Sequence, residues 1–355
     1  MSNEELQSKV IDFLRFPMIV GIVLLHAFLE DIRGLNIPDG GLPIYHHASF
    51  FISRVLVFVA VPLFFFISAY LFFYHTSFSF ESYKKKLKKR AHTLLIPYLF
   101  WNLVIIVGHW MVTLLSPVQL TSGAYKLIED YTWWDYLRSF WAVNGSMPIN
   151  GVLWFIRDLM IMMVLSPVVY FMIRYLRWIA VLLIGGIWLS GVTCDIPQMS
   201  AIFFFTLGAW YSINRRNFVA DFKSFFPWGI LLYFIYALGT VATREYTGFV
   251  YVSNAGILLG IVAVIALTAH YVEKGKWRAS VFLTGSCFLV YAFHQLPLNI
   301  MVRILFRLIH PVSDGQFLFI YLISPVTIIL MDLLIYAILK RFLPKFTIFI
   351  TGGRS

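Results

Sequence analysis

Charge is scarce in this chain: Asp, Glu, Lys and Arg make up 13% of its residues, against about 25% in soluble domains. A chain of 355 residues with so little charge cannot cover the two soluble domains its length would suggest. Acidic residues are the scarcer kind, 17 against 28 basic, which leaves a formal net charge of +11. Cysteine is nearly missing. Cys194 and Cys287 are too few for a disulfide framework or a thiolate metal site, and both read as structural. There is no internal repeat, no low-complexity tract and no linker long enough to set off a second domain, so a single domain over 1–355 is expected. No A-x-A-like cleavage site follows the first apolar run, which reads as a retained helix rather than a signal peptide.

What is abundant is apolar. Hydrophobic residues make up 60% of the chain, with 35 Phe, 19 Tyr and 11 Trp. They gather near 10–30, 48–74, 93–116, 151–173, 178–194, 199–213, 225–243, 249–271, 281–309 and 316–339. About 20 apolar residues cross the hydrocarbon core as helix, so the expected fold is an all-α integral membrane protein with about ten transmembrane helices. Nineteen basic residues, among them Lys84 to Lys86, Lys88, Lys89 and Arg90, fall on the side that holds both termini. The other side has four: Arg33, Lys126, Arg138 and Arg244. That asymmetry makes both termini cytoplasmic and accounts for the net charge with no nucleic-acid partner. The outer loop at 117–150 is the longest and the only one with room for substructure.

Five arginines remain within the apolar segments: Arg15, Arg54, Arg157, Arg303 and Arg307. A charge in the membrane is costly unless paired or solvated, so together they imply a polar interior. For any one of them an ion pair competes with a ligand contact, since Arg157 precedes Asp158 and Asp332 lies in the last segment. The first segment is the most informative. In LRFPMIVGIVLLHAFLED, His26 follows Arg15 by eleven residues, three helical turns plus about 20°, which puts both on one face about 16 Å apart. Glu30, four residues on, would share that face and could hold one ring nitrogen protonated while the other acts as a base. The plainer reading is a histidine hydrogen-bonded to a neighbouring helix.

The Arg-x10-His spacing resembles the signature of the acyltransferase 3 family, multi-helix bacterial membrane enzymes that O-acylate polysaccharides and other envelope molecules. Other segments resemble the family in the right order: VPLFFFISAYLF (61–72), KRAHTLLIPYLFW (89–101), NGVLWFIRDL (150–159), FFFTLGAW (203–210) and SCFLVYAFHQLPL (286–298). Two departures stand out. Ala69 occupies a usual glycine, and Arg90 is followed three residues later by Thr93 where a second arginine is common, leaving Lys89 or His92 as substitutes.

The resemblance implies an acyl-coenzyme A donor bound from the cytoplasm, a glycan or lipid-linked glycan acceptor, and a place among the lipids of the bacterial cytoplasmic membrane. In that scheme Arg15, Arg90 and Lys89 hold the donor phosphates, and Tyr291 and His294 contact donor or acceptor. His26 is the general base, Glu30 orients it, and Arg157 stabilises the oxyanion or an anionic acceptor. No metal is expected: His46, His47, His109 and His310 fall toward the outer side without ligand geometry. Trp133, Trp134 and Trp141 fit an interfacial belt better than a sugar platform. The competing reading is a transporter or flippase for an anionic envelope precursor, which would use the same arginines without chemistry.

Overall fold

A backbone that lacks water over most of its length must satisfy its own hydrogen bonds, and helix does this within one segment. The computed structural model describes residues 1–32, 34–38, 40–74, 79–115, 126, 128–143, 145–246 and 248–353. Among the described residues there are helices and turns and no strand, only an isolated bridge between Asp195 and Gln198. Arg33, Arg354 and part of the 117–150 loop, including 117–125, lie outside the described residues.

Helix occupies each of the ten apolar segments, but fewer qualify as spans by length and composition. Four do: Pro43–Phe73, Phe80–Met111, Phe249–Glu273 and Asp314–Phe342. Two more arise if the bent pairs Gly151–Val164 with Ser166–Leu176 (59°) and Val281–Phe293 with Gln295–Ile309 (67°) each count once. By this measure there are four to six candidate spans among the described residues, which does not bear out about ten. Trp178–Leu189, Met199–Ile213 and Trp228–Ala242 have 12, 15 and 15 residues, short of a full crossing. The first helix, Asn3–His26, carries Lys9, Asp12 and Arg15 along its length. Ser2 caps it by accepting a hydrogen bond from the Glu5 amide at 3.1 Å.

Packing centres on the 43–73 helix. Gly208 of the 199–213 helix faces its backbone so closely that an added Cβ would overlap the Phe66 carbonyl oxygen. Phe66, Tyr70, Tyr211 and Phe218 interlock there edge to face. Gly21 of the first helix packs the same way against Val57, 3.2 Å from where its Cβ would lie. Two π-helical turns interrupt the long helices, at Phe51–Leu56 and Ala91–Leu95. Such turns shift the register of side chains and often mark functional sites. Here one contains Arg54 and the other follows Arg90.

The contact at Gly208 predicts a large effect from a small change. Gly208→Ala should destabilise the bundle by about 1–3 kcal/mol or more, because the obstacle is backbone, seen as a lower midpoint in thermal unfolding of the detergent-purified protein. Gly186→Ala, where an added Cβ meets nothing within 4 Å, should leave the midpoint close to wild type.

Candidate active site

One face of the first helix lines two cavities, one above the other. Arg15, Met18, Ile19 and Ile22 border a cavity of about 390 Å³, walled otherwise by Phe64, Ile67, Phe155, Leu159 and Tyr291 and reached by Arg90. Ile22, Leu25 and His26 border a second of about 620 Å³, with Arg54, Trp154, Trp188, Asp195 and Asn254 among its walls. Both volumes are of the size that holds small ligands. Ile22, itself 3% exposed, is the residue they share. The eleven-residue spacing therefore acts as the sequence suggested: Arg15 meets one cavity and His26 the other, about 16 Å apart along the helix.

The helix stops at His26. The Ala27 amide turns back to the Leu24 and Val23 carbonyls, and Phe28 is extended. Glu30 is thereby carried off the face it would have shared with His26. It sits in the short 3-10 turn Leu29–Asp31, where its carboxylate accepts from the Tyr45 hydroxyl at 2.7 Å and pairs with His46 Nδ1 at 3.0 Å. The expected His26–Glu30 contact is therefore absent among the described residues. His294 takes that place, its ring centroid 5.3 Å from that of His26. His294 is fully buried, and its Nδ1 bonds the Val290 carbonyl at 2.9 Å. A carbonyl only accepts, so the proton is on Nδ1 and Nε2 holds a lone pair, with no hydrogen-bond partner.

The remaining predicted residues divide. Arg15 and Arg90 come together at the first cavity, Arg15 also within 3.3 Å of Asp12. Lys89 is exposed and borders neither cavity, so it does not replace the missing second arginine. Tyr291 borders the first cavity, but its hydroxyl is given to the Val152 carbonyl. Arg157 fits the ion-pair reading in place of the oxyanion role. It is 1% exposed, its Nε and Nη2 bond Asp158 at 3.0 and 2.8 Å, and its Nη1 bonds the Trp141 and Ser146 carbonyls at 2.7 and 2.6 Å. So committed a guanidinium is a strut, not a free oxyanion donor. The cation at the His26 cavity is Arg54, paired with Asp31 and over the Phe28 ring. Sequence reasoning counted Arg54 among the buried arginines without giving it this role, and nothing in the local pattern links residue 54 to residue 26.

Comparison with known proteins supplies the remaining finding. A family model described as an acyltransferase domain matches residues 9–336. A succinoglycan biosynthesis protein, ExoH, from Rhizobium meliloti (strain 1021) is 28% identical over 214 residues, 59% of this chain. The chain spans about half of that relative's length, 55%. No solved structure matches.

The buried Arg157–Asp158 pair offers a direct test of the site's framework. Asp158→Ala leaves the guanidinium buried and uncompensated, which should cost about 3–5 kcal/mol and appear as a collapse of the thermal midpoint. A normal midpoint would contradict the burial described.

Proposed function

The chain belongs to the acyltransferase 3 family, and from that premise we propose that it carries an acyl group, most simply acetyl, from a cytosolic acyl-coenzyme A to a hydroxyl of an envelope glycan or lipid-linked glycan. The observation that carries this reading is the pair of cavities stacked on one face of the first helix, with arginines at one and a histidine at the other. The excess of basic residues supports an orientation with the Arg15 end in the cytoplasm and the His26 end outside, and the family supports a bacterial cytoplasmic membrane as the location. The relative's role in succinoglycan biosynthesis, given by its name, supports a polysaccharide acceptor.

Arg15 and Arg90 then meet the donor phosphates, which cannot enter the apolar part of the first cavity. The thioester arm runs past Met18, Ile19 and Ile22 toward His26. The acceptor sits in the second cavity, where Trp154 offers its ring to a sugar and Asn254 and Asp195 offer hydrogen bonds. His26 takes the acceptor's hydroxyl proton as its oxygen attacks the thioester carbonyl. The carbon–sulfur bond breaks, the proton passes to the departing thiolate, and the products are an O-acyl ester and free coenzyme A. Arg54 stands beside the charge that develops. His294, its ring packed against that of His26, stands in the place sequence reasoning gave to Glu30.

The test uses proteoliposomes given acetyl-labelled donor at the cytoplasmic face and a panel of glycan acceptors in the lumen. Wild type should release free thiol and label the acceptor, and His26→Ala should lose on the order of 10²–10⁴ in rate. Full activity in His26→Ala would sink the assignment. Glu30→Gln should keep most of the activity, since its carboxylate serves Tyr45 and His46.

A second variant probes the route. Ile22→Trp fills the shared wall between the cavities, so it should bind donor normally yet fail to label the acceptor. Undiminished labelling would mean that the acyl group takes another path.

A further inference from the structure

A third cleft lies outside this machinery, with a volume of about 800 Å³. It is formed where the first helix begins, the 43–73 helix ends, and the 166–176 and 199–213 helices finish. Arg174, Arg215 and Arg216 converge on it with the rings of Tyr70, Tyr74 and Tyr170. Arg216 is engaged by Asp221 at 2.9 Å. Arg174 and Arg215 pair with no carboxylate among the described residues.

Basic residues at a membrane surface are ordinary, and alone they would mean little. The wall behind them is less ordinary. Gln7 is 3% exposed and gives its Nε2 to the Tyr70 hydroxyl at 2.7 Å, but its Oε1 has no partner. Ser212, 7% exposed, has an unpartnered Oγ on the same cleft. Buried polar atoms are nearly always satisfied, so two orphans on one polar cleft point to a ligand that completes them. The ligand's chemistry can be read from the donor and acceptor balance. Guanidinium groups call for phosphates. An amide oxygen only accepts, so the ligand must also present an N–H or O–H. Tyrosine rings offer faces to a flat ring. A nucleotide carries all three.

Position makes the same choice. Gln7 and Leu14 are seven residues apart, two turns of one helix face and about 10 Å along the axis, and Leu14 borders the first cavity beside Arg15. The cleft therefore lies beyond the Arg15 end of the first cavity, on the side away from His26. We propose that this cleft binds the nucleotide end of the coenzyme A donor, with phosphate on Arg174 and Arg215, the base amine or ribose hydroxyls on Gln7, and a tyrosine ring against the base. This inference rests on the acyl-coenzyme A reading above.

The experiment separates the two. Binding of adenosine 3′,5′-bisphosphate, which carries no acyl group, is measured by calorimetry on full-length protein in nanodiscs of neutral lipid. Wild type should bind, and Arg174→Ala with Arg215→Ala should lose at least tenfold in affinity. Both are exposed and outside the proposed chemistry, so the fold should be unaffected. Gln7→Leu, an internal change, is the second variant and should weaken binding several-fold. In the transfer assay the double variant should raise KM for acetyl-coenzyme A at unchanged kcat and leave acetyl-pantetheine, which lacks the nucleotide, unaffected. Bisphosphate binding that ignores all three substitutions would overturn the assignment. So would bisphosphate binding left intact while the double variant loses activity only in anionic lipid, which would give the cleft to a lipid headgroup. Arginine-dependent binding without any acyl transfer in wild type would keep the cleft and sink the acyltransferase reading instead.

Discussion

The second cavity depends on one buried ion pair. Arg157 and Asp158 are adjacent in sequence and almost wholly out of solvent, and between them they tie the loop at 141–146 to the chain at Gln198. The guanidinium holds the Trp141 and Ser146 carbonyls, while the second carboxylate oxygen of Asp158 accepts the Gln198 amide at 2.8 Å. Ser146, Met147, Trp154 and Gln198 are all walls of the cavity that His26 enters. An apolar pair of equal volume could fill that space, but it could not bind loop carbonyls that have no other partner among the described residues. Burial of the charge is thus the condition under which irregular outer chain can form a shaped wall.

Upon that wall the site is assembled by places where helices fail to continue. The first helix ends at His26, the 151–176 segment bends by 59° near Leu165, and the 281–309 segment bends by 67° at His294. The bend at His294 sets a buried imidazole against His26. The π turn at Phe51–Leu56 carries Arg54 and lets Ser53 bond the Leu24 carbonyl at 2.7 Å, two residues before His26. Straight helices would present none of these groups to one another.

This explains how much of the site was legible in the sequence. The alignment of Arg15 and His26 needs nothing beyond a continuous helix from 15 to 26, so their spacing was enough. Glu30 needed the helix to run one turn further, and AFLED contains no glycine or proline to announce the stop. Ten apolar segments were visible as helices, yet composition does not report whether a segment of 12 to 15 residues crosses a membrane. The bends had a signal in Pro167 and Pro297, each just inside a new helix, where proline is well tolerated. The pairing of Arg54 with Asp31 and of His46 with Glu30 joins residues 23 and 16 apart through loops, and no periodicity encodes that.

The division into two cavities also bears on chemistry against transport. A carrier for an anionic precursor must let the whole solute, charge included, past its narrowest point. Here the residue the two cavities share is an apolar side chain, Ile22, with Phe64 and Phe155 bordering the space on one side and Trp154 and Pro62 on the other. A charged glycan would leave its solvation there with no compensating partner. An uncharged acyl group on a flexible arm incurs no such cost. In the proposed reaction the arginines would stop the phosphates at one end, the acceptor would keep its polar contacts at the other, and only the neutral fragment would have reason to pass. On this reading the energetic barrier that makes the membrane hard to cross is also what sorts the acyl group from the rest of its carrier.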